Sequence, residues 1–258
     1  MKNIERLSKK IRKNILKISY QSKSAHIASS LSIVDIIATI YTKFIKKNGN
    51  NIFILSKGHA CLAHYCLLHE LGYIKKKVLN SFGKNGTVLM SHSSHLVPGV
   101  NLSTGSLGHG LPVSTGIALS KKIKEEKGKV FVLLSDGELN EGSNWESLLF
   151  LTHHNLNNLV IVIDYNKIQS LDFVRKTIKL QPLKDKFLSF GCKVSEINGH
   201  NDKEILHCLK KKTKKPLVII ANTIKGKGVS FMENKVLWHY KSPNLKELIS
   251  GLKELDNN

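Results

Sequence analysis

Asp136-Gly137 closes the apolar run VFVLLS, and thirty residues later Asn166-Lys167-Ile168 closes the run LVIVIDY. A carboxylate oxygen, an amide oxygen and a nearby main-chain carbonyl such as that of Ile168 form the donor set that hard cations prefer, and Mg²⁺ commonly shares its shell with phosphate oxygens. Gly137 lets a phosphate come close to the backbone. Taken singly, Asp-Gly after a strand reads as a turn and Tyr-Asn-Lys as a loop. Their joint placement past the ends of two neighbouring strands points to a metal ion carrying a diphosphate, and the residues by themselves leave that reading level with the ordinary one.

A second group of residues, Ser103-Thr104-Gly105-Ser106-Leu107-Gly108-His109-Gly110, is rich in glycine but does not have the GxGxxG spacing of a dinucleotide loop. Lys225-Gly226-Lys227-Gly228 likewise lacks the spacing of a triphosphate-binding loop. What these glycines permit is close approach of backbone to a flat or anionic ligand. Of the twelve histidines, His64, His69, His153, His154, His200 and His207 fall on or near helical patterns and read as structural or surface residues. His26, His59, His92, His95 and His239 fall in irregular, Gly/Ser-rich surroundings. One such histidine alone is structural more often than catalytic; several converging on a diphosphate could bind it, donate to sugar hydroxyls and move protons near neutral pH.

These residues need a scaffold, and the hydrophobic pattern supplies one. From Val130 the chain alternates: strand 130–135, helix 143–154, strand 159–164, helix 182–190, strand 192–197, helix 202–213, strand 217–221. Repeated alternation predicts an α/β fold, a mainly parallel sheet sandwiched by helices, with ligands bound outside the carboxyl ends of its strands. Upstream, Ile4, Leu7, Ile11, Ile15 and Ile18 have helical spacing, Ser32-Ile33-Val34-Asp35 reads as a capping box opening a helix over 33–46, and a helix through Leu71 follows Ser56-Lys57-Gly58-His59. Residues 83–116 show little periodicity, and so long an irregular stretch in a compact domain is expected to be functional.

No Pro/Gly/Ser-rich linker divides the 258 residues, so a single domain over 1–258 is expected. No apolar run reaches the roughly 18 residues of a membrane span, and the four cysteines lack metal or disulfide spacing, which suits reduced thiols and a cytoplasmic protein. The formal charge is +21, but only three of the 40 basic residues are arginines and the lysines are scattered. Lysine lacks the planar fork that grips phosphate and reads bases, so the charge argues for a solvated surface that attracts anionic substrates rather than for a nucleic-acid partner.

With these segments assembled, the chain resembles the N-terminal half of transketolase. Asp136-Gly137-Glu138-Leu139-Asn140-Glu141-Gly142 with Asp164 to Ile168 is similar to the thiamine diphosphate motif, supported by Ser24-Ala25-His26, Ser56 to Ala60, Pro98-Gly99-Val100, Ser103 to Gly110 and Trp238-His239. The likeness covers roughly residues 5–245 and is strongest to split transketolases, in which this half is a separate subunit. The resemblance implies that Asp136, Asn166 and the Ile168 carbonyl hold Mg²⁺ or Ca²⁺ against thiamine diphosphate. It assigns His59, Gly137, Asn166 and His239 to the diphosphate end and Gly105, Ser106 and Leu107 to the aminopyrimidine side. His26, His92 and His239 would face substrate, and Glu141 and Glu146 a subunit contact. Ser135 replaces a glycine of the family pattern, Ala25 another, and Ser93 a proline; the last leaves His95 as a rival of His92.

The resemblance also implies what lies on another polypeptide. In the family a glutamate of a pyrimidine-binding domain activates the far end of the cofactor, and that domain is expected on a partner subunit together with the C-terminal domain. The implied activity is transfer of a two-carbon ketol unit from a ketose phosphate to an aldose, as in the pentose phosphate pathway, by a homodimer or heterotetramer. Two alternatives stay open: a split thiamine enzyme of a dedicated sugar-biosynthetic route, and a noncatalytic cofactor-binding subunit.

Overall fold

The apolar runs pair into one sheet. In the computed structural model, which describes residues 2–257, the chain begins with α1 (Lys2–Ser22), α2 (Ile27–Ser32), α3 (Val34–Lys43), β1 (Ile52–Leu55), α4 (Cys61–Glu70), α5 (Lys76–Leu79) and α6 (Gly110–Ile123). It continues with β2 (Val130–Ser135), α7 (Gly142–His153), β3 (Leu159–Tyr165), α8 (Val174–Thr177) and α9 (Leu183–Ser189). β4 (Lys193–Asn198), α10 (Asp202–Leu209), β5 (Leu217–Asn222) and α11 (Leu245–Asn257) complete the described residues. The strand order is β1-β2-β3-β5-β4, and every neighbouring pair is parallel.

Parallel neighbours need crossover connections, and these place helices on both faces of the sheet. Alternate side chains of each strand therefore enter different cores: Phe131, Leu133, Val160 and Val162 pack with residues of α1 to α5, α10 and α11, while Val132, Leu134, Ile161 and Ile163 pack with residues of α6 to α9. Burial on both faces explains why the central strands read as unbroken apolar runs. β4, at one edge, keeps exposed Lys193 and Glu196, and charge on an edge strand discourages pairing with another chain.

Most of the expected elements appear within a residue or two, with four corrections. The helix expected over 33–46 is α3, which ends at Lys43, and a separate short helix, α2, precedes it across Ile33. The capping box at Ser32 does not form, because no side chain caps α3 and the Ser32 hydroxyl points instead at Asp164 Oδ2, 2.7 Å away. The irregular stretch expected to run to residue 116 ends at Gly110, where α6 begins, and the helix expected over 202–213 ends at Leu209. Unforeseen α11 packs along α1. The four cysteines are free and buried, as expected, and among the described residues no helix is long and apolar enough to cross a membrane.

Because all strands run the same way, the carboxyl ends of β1, β2, β3 and β5 lie side by side. The segments leaving β1 and β2 and the stretch before α6 are held together by Glu138. Its Oε1 accepts from Ser56 Oγ (2.5 Å) and Gly108 N (3.0 Å), and Oε2 from Ser135 N (3.4 Å). Glycine lets these segments touch: a methyl group at Gly58 would overlap the Thr104 carbonyl, and one at Gly110 would overlap Ser56. Gly58→Ala should therefore lower unfolding free energy by about 1–3 kcal/mol, the usual cost of an overpacked contact with backbone. Chemical denaturation reads this directly, and an unchanged midpoint would contradict the close approach.

Candidate active site

A cavity of about 330 Å³ opens at the carboxyl edge of the sheet, with walls from every segment named above. Asp136, Gly137, Asn166 and Ile168 line it from β2 and β3, His59 and Lys57 from β1, Lys225 from β5, and His26, His92, Gly105, Leu107 and His239 from connecting segments. Ser106 is exposed between Gly105 and Leu107 and does not line the cavity. Glu141 and Glu146 lie outside it, both exposed. A larger groove of about 880 Å³, beside α1 and α11, contains none of these residues.

Four histidines from separate parts of the sequence meet here. The His26 ring centroid lies 5.3 Å from that of His59, 6.1 Å from His92 and 5.0 Å from His239. His26 caps α2 with φ 66°, a left-handed conformation rare for a residue with a side chain. Its N–H donates to the His239 carbonyl at 2.8 Å, which holds it there. His92 is placed by Tyr65 of α4, whose hydroxyl donates to the His92 carbonyl (2.9 Å) and accepts from Ser94 N (3.1 Å). Of the two rivals, His92 lines the cavity, whereas His95 is exposed and pairs with Ser103 Oγ at 2.7 Å.

The oxygen donors are oriented by their neighbours. Asp136 Oδ1 accepts from Gly137 N (2.8 Å) and Oδ2 from Lys167 N (2.6 Å). Asn166 Nδ2 donates to Asp164 (3.0 Å), which fixes the amide so that Oδ1 accepts from Ile168 N (3.1 Å). Each of these oxygens keeps a second lone pair. Oxygen-only donors fit Mg²⁺ or Ca²⁺ rather than a softer ion. Among the described residues there is no cluster of three or more His, Cys, Asp or Glu able to hold a metal, so a cation at Asp136 and Asn166 would complete its shell with main-chain, water or ligand oxygens.

Three charged residues that sequence reasoning gave no role complete the site. Lys57 and Asp164 form an ion pair with no exposed side-chain surface, Nζ to Oδ2 2.5 Å. Lys225 Nζ donates to the Ile168 carbonyl (2.8 Å) and to His239 Nδ1 (2.8 Å). His239 therefore carries its ring proton on Nε2. Burial pushes Lys225 down to about 8, with the Lys57 charge adding to the effect. Burial and the Asp164 charge push Asp136 up to about 7. Burial also takes His26 down to about 4 and His239 to about 3, helped by Lys225 and Lys57, and holds His59 well below its ordinary value. Neutral imidazoles beside two ammonium groups make a hydrogen-bonding anion site. Lys57 and Lys225 both belong to glycine-containing segments that stand out in the sequence, but nothing local marks either lysine as buried.

Comparison with known proteins agrees with this geometry. The model of the family described as transketolase, thiamine diphosphate binding domain, matches residues 4–248. An apulose-4-phosphate transketolase subunit of Actinobacillus succinogenes is 38% identical over 263 residues, covering 98% of this chain and 95% of its own length. A 6-deoxy-6-sulfo-D-fructose transketolase subunit of Clostridium sp. is 36% identical, covering 83% of this chain and 82% of its own. Among solved structures, Campylobacter jejuni transketolase superposes with a TM-score of 0.94 at 25% identity; the match takes in 99% of this chain but only 43% of that one.

The histidine cluster makes stability depend on pH. His26 has a folded pKa of about 4 against an ordinary value of 6.5, so as pH falls the unfolded chain takes up the proton first. Its contribution to stability is complete above about pH 6.5 and lost progressively towards pH 4. Without cofactor, His26→Asn, which tolerates the left-handed backbone, should lose stability less steeply than the wild type over that window. Parallel midpoint curves would contradict the neutral, buried histidine.

Proposed function

Because the chain belongs to the transketolase family through its thiamine diphosphate-binding domain, we propose that the cavity at the carboxyl edge of the sheet holds the diphosphate end of that cofactor with a divalent metal. The chain is the N-terminal subunit of a ketol-transferring transferase. The observation that carries the site assignment is the convergence of Asp136, Asn166, Ile168, His59, Lys225 and His239 on one cavity.

Asp136 Oδ, Asn166 Oδ1 and the Ile168 carbonyl would hold Mg²⁺ or Ca²⁺, with phosphate oxygens completing its shell. Gly137 leaves room for the phosphate, while His59, Lys225 and His239 supply donors to it. Gly105 and Leu107 line the route to the aminopyrimidine, with exposed Ser106 placed to meet what arrives from outside. When bound, the thiazolium ring serves as the electron sink for carbon-carbon cleavage and formation. His26, His92 and His239 orient the sugar hydroxyls and move protons at the reacting carbons. Burial keeps the His26 ring neutral, and a neutral imidazole has one ring nitrogen that can accept a proton.

Residues 1–258 form one domain in this reading, and a partner subunit supplies the pyrimidine-binding and C-terminal domains. Support comes from relatives that carry the word subunit in their names and match over nearly their whole length. Exposed Glu141 and Glu146 belong to that contact, and the assembly is a homodimer of such pairs, a heterotetramer, in the cytoplasm. The substrates are a ketose phosphate donor and an aldose acceptor, as in the pentose phosphate pathway. A second reading, a transketolase of a dedicated sugar pathway, is favoured by relatives named for apulose-4-phosphate and 6-deoxy-6-sulfo-D-fructose.

Calorimetric titration of thiamine diphosphate with Mg²⁺, into the chain alone and with its partner, tests the assignment; no binding in either state would overturn it. In the assembled enzyme, Asp136→Ala should cut cofactor-dependent turnover by at least about a hundredfold, as expected when a metal site loses its anchoring carboxylate. Wild-type turnover at saturating cofactor would refute the metal role of Asp136.

A further inference from the structure

Lys225 lies on the turn after β5, and a buried ammonium on a four-carbon stem gains by swinging towards water unless its backbone is fixed. That backbone is fixed on both sides by residues that do not line the cofactor cavity. On the near side, the Ile224 N–H donates to His200 Nε2 at 2.8 Å. The ring proton is therefore on Nδ1, which donates to Asp35 Oδ2 at 2.8 Å. Asp35 receives both arms of the Arg12 guanidinium, at 2.9 and 2.6 Å. On the far side, Arg12 Nε donates to the Lys227 carbonyl at 3.1 Å. The circuit runs Ile224, His200, Asp35, Arg12, Lys227, and encloses Lys225.

The three side chains come from α1, α3 and the turn before α10, so the circuit ties the first helical layer to the loop. Burial raises the Asp35 carboxyl, but the Arg12 charge and the hydrogen bonds from His200 and Arg12 outweigh it and hold Asp35 well below the usual carboxylate range. It stays ionised, and an ionised carboxylate is what makes the Arg12 fork directional. Arg12 also sits against Gly228, where a side chain would press on its Cδ at 3.0 Å, so the loop is built to fit it.

We propose that Arg12, Asp35 and His200 act as positioning residues, a clamp that sets the backbone on both sides of Lys225 and thereby holds its ammonium where the cofactor diphosphate binds. The inference rests on the reading of the cavity as a thiamine diphosphate site. It assigns a functional consequence to residues outside that cavity.

The test is the dissociation constant of thiamine diphosphate with Mg²⁺, measured by calorimetry on the chain assembled with its partner subunit. His200→Ala and Arg12→Lys, which keeps the charge opposite Asp35 but lacks the fork that also reaches Lys227, should each weaken binding about tenfold, the worth of one charge-linked hydrogen bond. A clamp that works through Lys225 has nothing left to position once that ammonium is gone. In a Lys225→Met background, His200→Ala should therefore change affinity less than about twofold. The same tenfold loss in both backgrounds would show a merely structural role and overturn the clamp, as would unchanged affinity in the single variants. If the wild type itself binds no cofactor, the site assignment falls and the clamp with it; wild-type binding with unchanged variants sinks the clamp alone.

Discussion

The buried pair of Lys57 and Asp164 is the constraint on which the site depends. Two charges without solvent cost several kcal/mol unless every lone pair and proton is satisfied. Here Asp164 accepts from Lys57, Ser32, Asn166 and Thr223, and so draws on the end of α2 and on the segments after β1, β3 and β5. Burial works against its charge, but Lys57 and these hydrogen bonds prevail and keep its pKa below the ordinary value. Removing either partner would strand a charge beneath the cavity. The same carboxylate orients Asn166, raises its neighbour Asp136 and anchors the turn that leads to Lys225. One buried carboxylate thus links the side of the cavity that carries Asp136 and Asn166 to the side that carries Lys225 and His239.

Charge at the cavity is balanced residue by residue. Lys57 is neutralised by Asp164, while Lys225 faces carbonyl oxygens and a neutral imidazole. A cation held this way offers its charge to an incoming anion, and a metal bound to Asp136 would add to it. Protonated histidines would repel both lysines, which is why burial and those same lysines keep them neutral. The +21 net charge of the whole chain is a separate matter of long-range attraction.

The central strands were legible because a sheet covered on both faces demands unbroken runs of Val, Ile and Leu, and their parallel order followed from the alternation with helices. The start of α6 was hidden by composition: Gly110-Leu111-Pro112 looks like loop, yet proline is tolerated in a first helical turn. Ser32 carried a capping pattern that a tertiary partner, Asp164, overrode. Asp136, Asn166 and the clustered histidines stood out because polar residues at strand ends and in glycine-rich segments are few. Lys57 and Lys225 did not stand out among so many lysines, since nothing local distinguishes a buried lysine from a solvated one. The role of His200 was invisible for another reason: its partners, Asp35 and Ile224, are distant in sequence and on opposite sides of it.

In the function proposed above, this chain holds the diphosphate end of the cofactor, and the group that activates the other end belongs to a partner. The most direct measurement is the rate at which the C2 proton of the thiazolium ring exchanges with deuterium, followed by NMR on quenched samples. With the chain alone and Mg²⁺ the rate should stay close to that of free cofactor, and it should rise by orders of magnitude once the partner is added. Full acceleration by the chain alone would contradict that division of roles.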